Sequence, residues 1–237
     1  MAVAEIERAL LRSTPSGVWE LEGWSPRWAR AGIADRYTDL TRLSAELSTG
    51  SRLVQAEQVH GAGIAVIERS QDIAQPIAGC DALVTGLAGT ALVIRTADCV
   101  PLFFRDDSRG VVGLAHVGWR GLAAKLPLRL IAAFRHLYHS HPEDLRVAVG
   151  PCIRACCYEV GPEFAERFGP FVRLHDGRRV CDLVGVAVDQ LRLGGIRAHQ
   201  IADSHRCTAC EAQHWFSIRR EGQATGRLLS FIMLRYS

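Results

Sequence analysis

The stretch ALVIRTADCVPLFFRDDSRGVVGLAHV, residues 91–117, sets the architecture. Three apolar runs, over 91–96, 101–104 and 111–117, are parted by short turns of Asp, Ser and Gly. Runs this short, rich in Val, Leu, Ile and Phe and closed by turn residues, read as strands. They scarcely alternate with polar residues, so each is expected to be covered on both faces.

Working outward, similar strand-like runs occupy 53–59, 63–67, 82–85, 197–201 and 228–234. Helical period appears between them. Leu126, Leu130, Phe134 and Leu137 fall at i, i+4, i+8 and i+11, with Pro127 placed for a first turn. Leu183, Ala187 and Leu191 form a second stripe, capped by Asp182 and ended by Gly194-Gly195. The first fifty residues carry the weakest pattern, apart from a surface turn expected over 45–51. Many strands with few, separated helices point to an α+β fold or a layered α/β sandwich. Neither GxGxxG nor GxxxxGK[ST] occurs, which argues against a doubly wound nucleotide fold.

The chain has 237 residues, 48% of them hydrophobic, enough for one large domain or two small ones, and a single domain over 1–237 is expected. A net charge of +3, spread over scattered Arg residues, gives no footprint for nucleic acid. No apolar run approaches the ~20 residues of a membrane helix. Glu5 and Glu7 stand where a secretory signal would be basic, so a cytoplasmic protein is expected. In that compartment the eight cysteines read as thiols or metal ligands rather than disulfides.

Three strand-like runs end in metal-capable side chains: His60 in QVHG, Cys99 in TADC and His116 in AHVG. Two imidazoles and a thiolate suit Zn²⁺, with Cu²⁺ second, and three protein ligands leave a fourth position for water or substrate. The plainer reading is two hydrogen-bonded strand-end histidines and a Cys acting as a small hydrophobe. A second cluster, Cys207-x-x-Cys210 with His205 or His214, reads as a structural zinc site, a redox pair, or two thiols packed under a loop. Gly150-Pro151 would present Cys152 at a turn. Beside His116, either Cys152 or Cys99 would form a Cys/His nucleophile pair. His139-Ser140-His141 reads as a solvated helix tip.

Six blocks together resemble one family: QVHG (58–61), CDALVTG (80–86), TADCVPLFF (96–104), AHVGWRG (115–121), GPCIRACCYEVG (150–161) and HWFSIRREGQATGR (214–227). It is the YfiH-like laccase-domain family, whose members go by the names polyphenol oxidase and purine nucleoside phosphorylase. The resemblance runs from about Leu53 to the C-terminus, leaving 1–52 as a divergent N-terminal portion. Segment 23–40 lacks the Arg-x-Gly-Gly-x-Ser loop and Asn-Leu segment common in the family.

The resemblance implies a layered α/β/β/α sandwich with mixed sheets and a metal, usually zinc, on His60, Cys99 and His116. It implies phosphorolysis of adenosine, inosine or methylthioadenosine and deamination of adenosine, so a purine nucleoside and phosphate are the expected partners. On that reading Arg120, with Arg219 or Arg220, forks the phosphate. Gln58 contacts substrate, and Asp98 orients a ligand or relays a proton. Trp119 and Trp215 are candidates for stacking on the base. Three other readings stand beside it. One is phenol oxidation at copper, although a single HxH pair among nine histidines cannot build a multicopper cluster. Another is a Cys/His hydrolase or amidase acting on peptidoglycan precursors, with Cys99 or Cys152 as nucleophile. The last is a metal-stabilised binding module.

Overall fold

The computed structural model describes residues 6–9, 11–24, 28–47, 51–68 and 75–235. The chain opens with β1 (Glu7–Arg8), β2 (Leu11–Ser13), β3 (Val18–Leu21), β4 (Ala29–Ala34) and α1 (Leu40–Glu46). Next come β5 (Arg52–Gln55), β6 (Ile64–Ile67), β7 (Ala82–Thr85), β8 (Thr90–Thr96), β9 (Val100–Asp106) and β10 (Val111–Val117). Helices α2 (Trp119–Ala123) and α3 (Leu126–Tyr138) follow, then β11 (Leu145–Val149) and α4 (Glu163–Phe168). The remainder is β12 (Val172–His175), β13 (Arg178–Cys181), α5 (Leu183–Leu193), β14 (Ile201–Asp203), α6 (Ile218–Glu221) and β15 (Leu228–Leu234).

Two mixed sheets carry the molecule. The first runs β1-β14-β11-β9-β10-β7-β6 and the second β2-β3-β4-β15-β8-β5, with β12 and β13 forming a separate hairpin. Side-chain alternation sorts the apolar residues into layers. On β10, Val111, Ala115 and Val117 face Leu130 and Phe134 of α3 and Leu191 of α5. Val112 and Leu114 face the opposite way, against Leu92, Ile94 and Ile232 of the second sheet. Ala91, Val93, Phe231 and Met233 on that sheet's far side cover Leu43 of α1 and Leu47 just past it. The result is the expected α/β/β/α sandwich, and it explains why the strands of 91–117 are apolar on both faces.

Gly113 lets α3 approach: a Cβ there would lie 2.8 Å from Phe134 Cε2. Leu126, Leu130, Ile131 and Phe134 are buried; each side chain removed from water contributes about 1.5–3 kcal/mol. Leu137, expected on the same stripe, is 44% exposed, while its neighbour Tyr138 is the residue that packs against the core there. His139 and His141 are exposed, as expected of a tip, while Ser140 between them is buried. Asp182 caps α5 by accepting from the Gly185 amide at 2.9 Å.

The strand expected over 197–201 begins later, at Ile201, after a 3₁₀ turn at Ala198–Gln200. Gln200 causes the shift: its Nε2 donates to the carbonyls of Pro142 and Leu145 at 2.8 and 2.6 Å, and its Oε1 accepts from the Arg197 amide. The weakly patterned N-terminal part forms the β2-β3-β4 meander and α1. Arg30 ties them, pairing with Glu20 at 2.6 Å and Glu46 at 2.7 Å. Helix α1 continues to Glu46, so the turn expected over 45–51 starts later than read, and 48–50, like Glu5, lie outside the described residues. No described helix is long and apolar enough to cross a membrane.

Candidate active site

His116 ends β10, Cys99 sits in the turn between β8 and β9, and His60 follows β5. The fold brings the three together, with all ligand atoms within 4.8 Å of one another. The imidazole rings meet edge to face, their centroids 4.7 Å apart. His116 is buried, Cys99 half-buried and His60 exposed, so the group opens to solvent on one side.

Asp81 organises it. This fully buried carboxylate accepts from His116 Nδ1 at 2.8 Å, from the His60 amide at 2.9 Å and from the Gly61 amide at 2.7 Å. The His116 amide in turn donates to the Asp81 carbonyl at 2.8 Å. With Nδ1 engaged, Nε2 is the nitrogen left for a metal, the usual arrangement behind a ligating histidine. Burial alone would raise the Asp81 carboxyl, but His116 and the two amides hold it below its usual range. The same amide pair fixes His60 in the left-handed region, at φ 59°.

Burial likewise pushes the Cys99 thiol up, yet hydrogen bonds from His116 and His60 outweigh it and bring it down to about 6. His116 is driven down by burial and up, more strongly, by Asp81 and Cys99, reaching about 9. A thiolate facing two imidazoles is a donor set for a soft or borderline cation. Gly118 leaves room for it: a Cβ there would come within 3.1 Å of Cys99 Sγ and 3.3 Å of His60 Cδ2.

The group forms one end of a cleft of about 630 Å³. Arg120 lines it, its guanidinium 4.2 Å from the Trp119 ring centroid. Gln58 also lines it, but its side chain grips the Arg95 backbone, donating to the carbonyl at 2.6 Å and accepting from the amide at 2.7 Å. Asp98 lies beneath the cleft, accepting from Thr208 Oγ1 at 2.7 Å and the Arg219 amide at 2.8 Å.

Other candidates lie elsewhere. The Arg219 side chain donates to the Glu159 carbonyl and stacks on Tyr158. The Arg220 side chain donates to the carbonyls of Thr208, Ala209 and Trp215 and pairs with Glu221. Neither guanidinium lines the cleft; Arg95 and Arg227 do. Cys152 is fully buried away from the cleft, and burial pushes its thiol up to about 12. Trp215 is sealed in the core, and Trp119 packs on Phe164 between Arg120 and Arg167. Cys207 and Cys210 meet Cys156 and Cys157 rather than His205 or His214. His205 lies beside Asp203, and His214 packs against Trp19.

Sequence reasoning passed over Asp81, whose signal was a carboxylate in the otherwise apolar run CDALVTG. It also passed over Arg95, a lone charge at the end of ALVIRT. Glu57, Gln223 and Thr225 complete the polar lining and carried no local signal.

Two facing mixed sheets, helices outside them and a His–Cys–His group at one end define a layered α/β protein with a candidate mononuclear metal centre. Residues 35–235 match the family described as multi-copper polyphenol oxidoreductase laccase. The chain belongs to that family. A relative from Geobacillus stearothermophilus, purine nucleoside phosphorylase YlmD, is 38% identical over 196 residues, covering 76% of this chain and 72% of its own. Adenosine deaminase RL5, from an unknown prokaryotic organism, is 33% identical over 195 residues, covering 76% of this chain and 74% of its own. The crystal structure of YlmD from Geobacillus stearothermophilus superposes with a TM-score of 0.89 at 31% identity, covering 96% of this chain and 100% of that one.

Proposed function

We propose that this protein cleaves adenosine, inosine and methylthioadenosine with inorganic phosphate and also deaminates adenosine, with zinc on His60, Cys99 and His116. One observation carries the reading: the His–Cys–His group shares its cleft with Arg95, Arg120 and Arg227. A cavity of about 630 Å³ has room for a nucleoside with an anion beside it. The names of the relatives YlmD and RL5 support the same two reactions.

Phosphorolysis forms a bond from a phosphate oxygen to ribose C1′ as the C1′–N9 bond breaks; ribose 1-phosphate leaves, and the base takes up a proton. The Arg120 fork suits two phosphate oxygens, and the Trp119 ring at its face limits where it can swing. Arg95 and Arg227 add positive charge to the same wall, and Glu57 offers a carboxylate to ribose hydroxyls. Zinc, when bound, supplies a Lewis acid with an open position. Gln58 and Asp98 act here as positioning residues, the first holding Arg95 and the second Thr208 and the first turn of α6. Eight free cysteines, among them two thiol-containing donor groups, fit a reducing, cytoplasmic setting.

The hydrolase reading keeps Cys99 alone, because Cys152 is sealed from the cleft. Phenol oxidation would have to run at one copper, since the other donor group among the described residues is all cysteine. The test is product identification from adenosine with zinc-only protein. Adenine and ribose 1-phosphate are expected only when phosphate is present, and inosine with or without it. His116→Ala is expected to lose bound zinc and turnover together; full turnover without zinc refutes the metal-centred reading.

A further inference from the structure

Four thiols converge on the far side of the Asp98 turn from the cleft. β11 and β14 are parallel neighbours, so the chain leaves both at the same end of the sheet. Cys156 and Cys157 lie in the turn after β11, Cys207 and Cys210 in the turn after β14. The two turns are laced together. The Cys152 amide donates to the Arg206 carbonyl and the Thr208 amide to the Cys152 carbonyl, while Arg154 grips Asp203 with its two terminal guanidinium nitrogens.

The sulfur spacing is informative. Cys157 to Cys210 is 3.4 Å, and Cys156 lies 3.7 Å from both Cys207 and Cys210. All four sulfurs fall within 4.8 Å of one another. Four sulfurs about 2.3 Å from one zinc stand about 3.8 Å apart along the tetrahedron's edges. A disulfide needs about 2.05 Å, and a multi-iron cluster would need sulfurs spread around several metals. The amides of Cys157 and Tyr158 both donate to the Arg154 carbonyl, a turn that brings the neighbouring sulfurs of Cys156 and Cys157 to Cys210. Backbone amides around Arg154, Ala209 and Cys210 point at the Cys207 sulfur, as they do around ligating thiolates.

We propose that Cys156, Cys157, Cys207 and Cys210 bind a second, structural zinc ion that clamps the turn after β11 to the turn after β14. The site is closed, with four protein ligands and no place for substrate. Binding displaces thiol protons and moves no electrons. Its effect reaches the cleft through Thr208, next to Cys207, which donates to Asp98, next to Cys99. The chain beyond Cys210 then carries Ile218, Gln223, Thr225 and Arg227 into the cleft wall.

The test is metal analysis of the full chain purified under reducing conditions and equilibrated with zinc. Two zinc ions per chain are expected for the wild type, and one each for Cys207→Ser/Cys210→Ser and His60→Ala/His116→Ala. The histidine variant leaves all four cysteines intact. It should take up one cobalt ion with an intense thiolate-to-cobalt charge-transfer band, whether or not the cleft site works as proposed. The proposal is overturned if that variant binds no metal and shows four freely titrating thiols or two disulfides. It is equally overturned if the folded cysteine variant keeps the wild-type zinc content.

Discussion

Asp81→Asn isolates what one buried carboxylate does for the site. Its two oxygens satisfy three donors, His116 Nδ1 and the amides of His60 and Gly61. Asparagine keeps the shape but exchanges one acceptor for an NH₂ group. Oriented with its oxygen towards His116 and His60, the new amide sets its own N–H against that of Gly61; flipped, it opposes two donors instead of one. The better orientation leaves the Gly61 N–H and the new N–H facing each other with no acceptor, a loss of about 1–3 kcal/mol. For a chain of this length that is a fall in Tm of roughly 3–10 °C in metal-free protein. Zinc affinity is expected to drop about 10–100-fold, because a neutral amide in place of the carboxylate leaves His116 a less basic ligand. Thermal melts and competition with a coloured chelator read the two effects separately. Wild-type affinity in the variant would refute the role given to Asp81 behind the ligands, and an unchanged melt would refute its role in holding the 58–61 turn.

Four further outcomes follow from the same geometry. Arg120→Met should raise the KM for phosphate about 10–100-fold, the loss of one or two charge-assisted hydrogen bonds. Arg220→Ala, which frees three carbonyls outside the cleft, should lower Tm and leave that KM within about twofold. In zinc-free protein, alkylation of Cys99 should accelerate as pH rises through about 6, because the thiolate is the reactive form and is protonated below that value; a midpoint near 9 would show that the imidazoles do not face it. Gly113→Ala places a methyl 2.8 Å from Phe134 and should cost about 1–3 kcal/mol in a denaturant titration, with zinc content unchanged.

The layered fold was legible because its central strands are apolar on both faces and its two long helices carry a clear period. What escaped the sequence had tertiary causes. Leu137 keeps the period of α3 but stays exposed, because Tyr138 takes the last packing position against the core. Gln200 bends 198–200 into a turn through carbonyls about fifty-five residues away in sequence. The three metal-capable residues stood out because each closes an apolar run. The residues around them did not, since an arginine in a motif looks the same whether it faces a cleft or, like Arg220, is bound to carbonyls. Cys156 and Cys157 illustrate the same limit: their partners lie across a parallel strand pair, a relation no local spacing records.

The placement of the candidate metal centre follows from how the chain moves between sheets. β5 and β8 belong to the second sheet, while β6 and β9, the strands that follow them, belong to the first. His60 and Cys99 therefore both lie on crossovers, and His116 ends a strand of the first sheet at the same edge of the sandwich. Crossovers of this kind must bend sharply: Gln58, His60 and Asp98 all adopt left-handed φ values of 64°, 59° and 90°. Non-glycine residues hold such conformations only when their surroundings compensate. At the 58–61 turn, Asp81 and the Gln58–Arg95 bonds do so; at Asp98, Thr208 and the Arg219 amide do. The contacts that stabilise these bent crossovers are thus the contacts that aim the ligands. Loosening either turn should degrade metal binding before it unfolds the sheets, because the apolar layers do not depend on them.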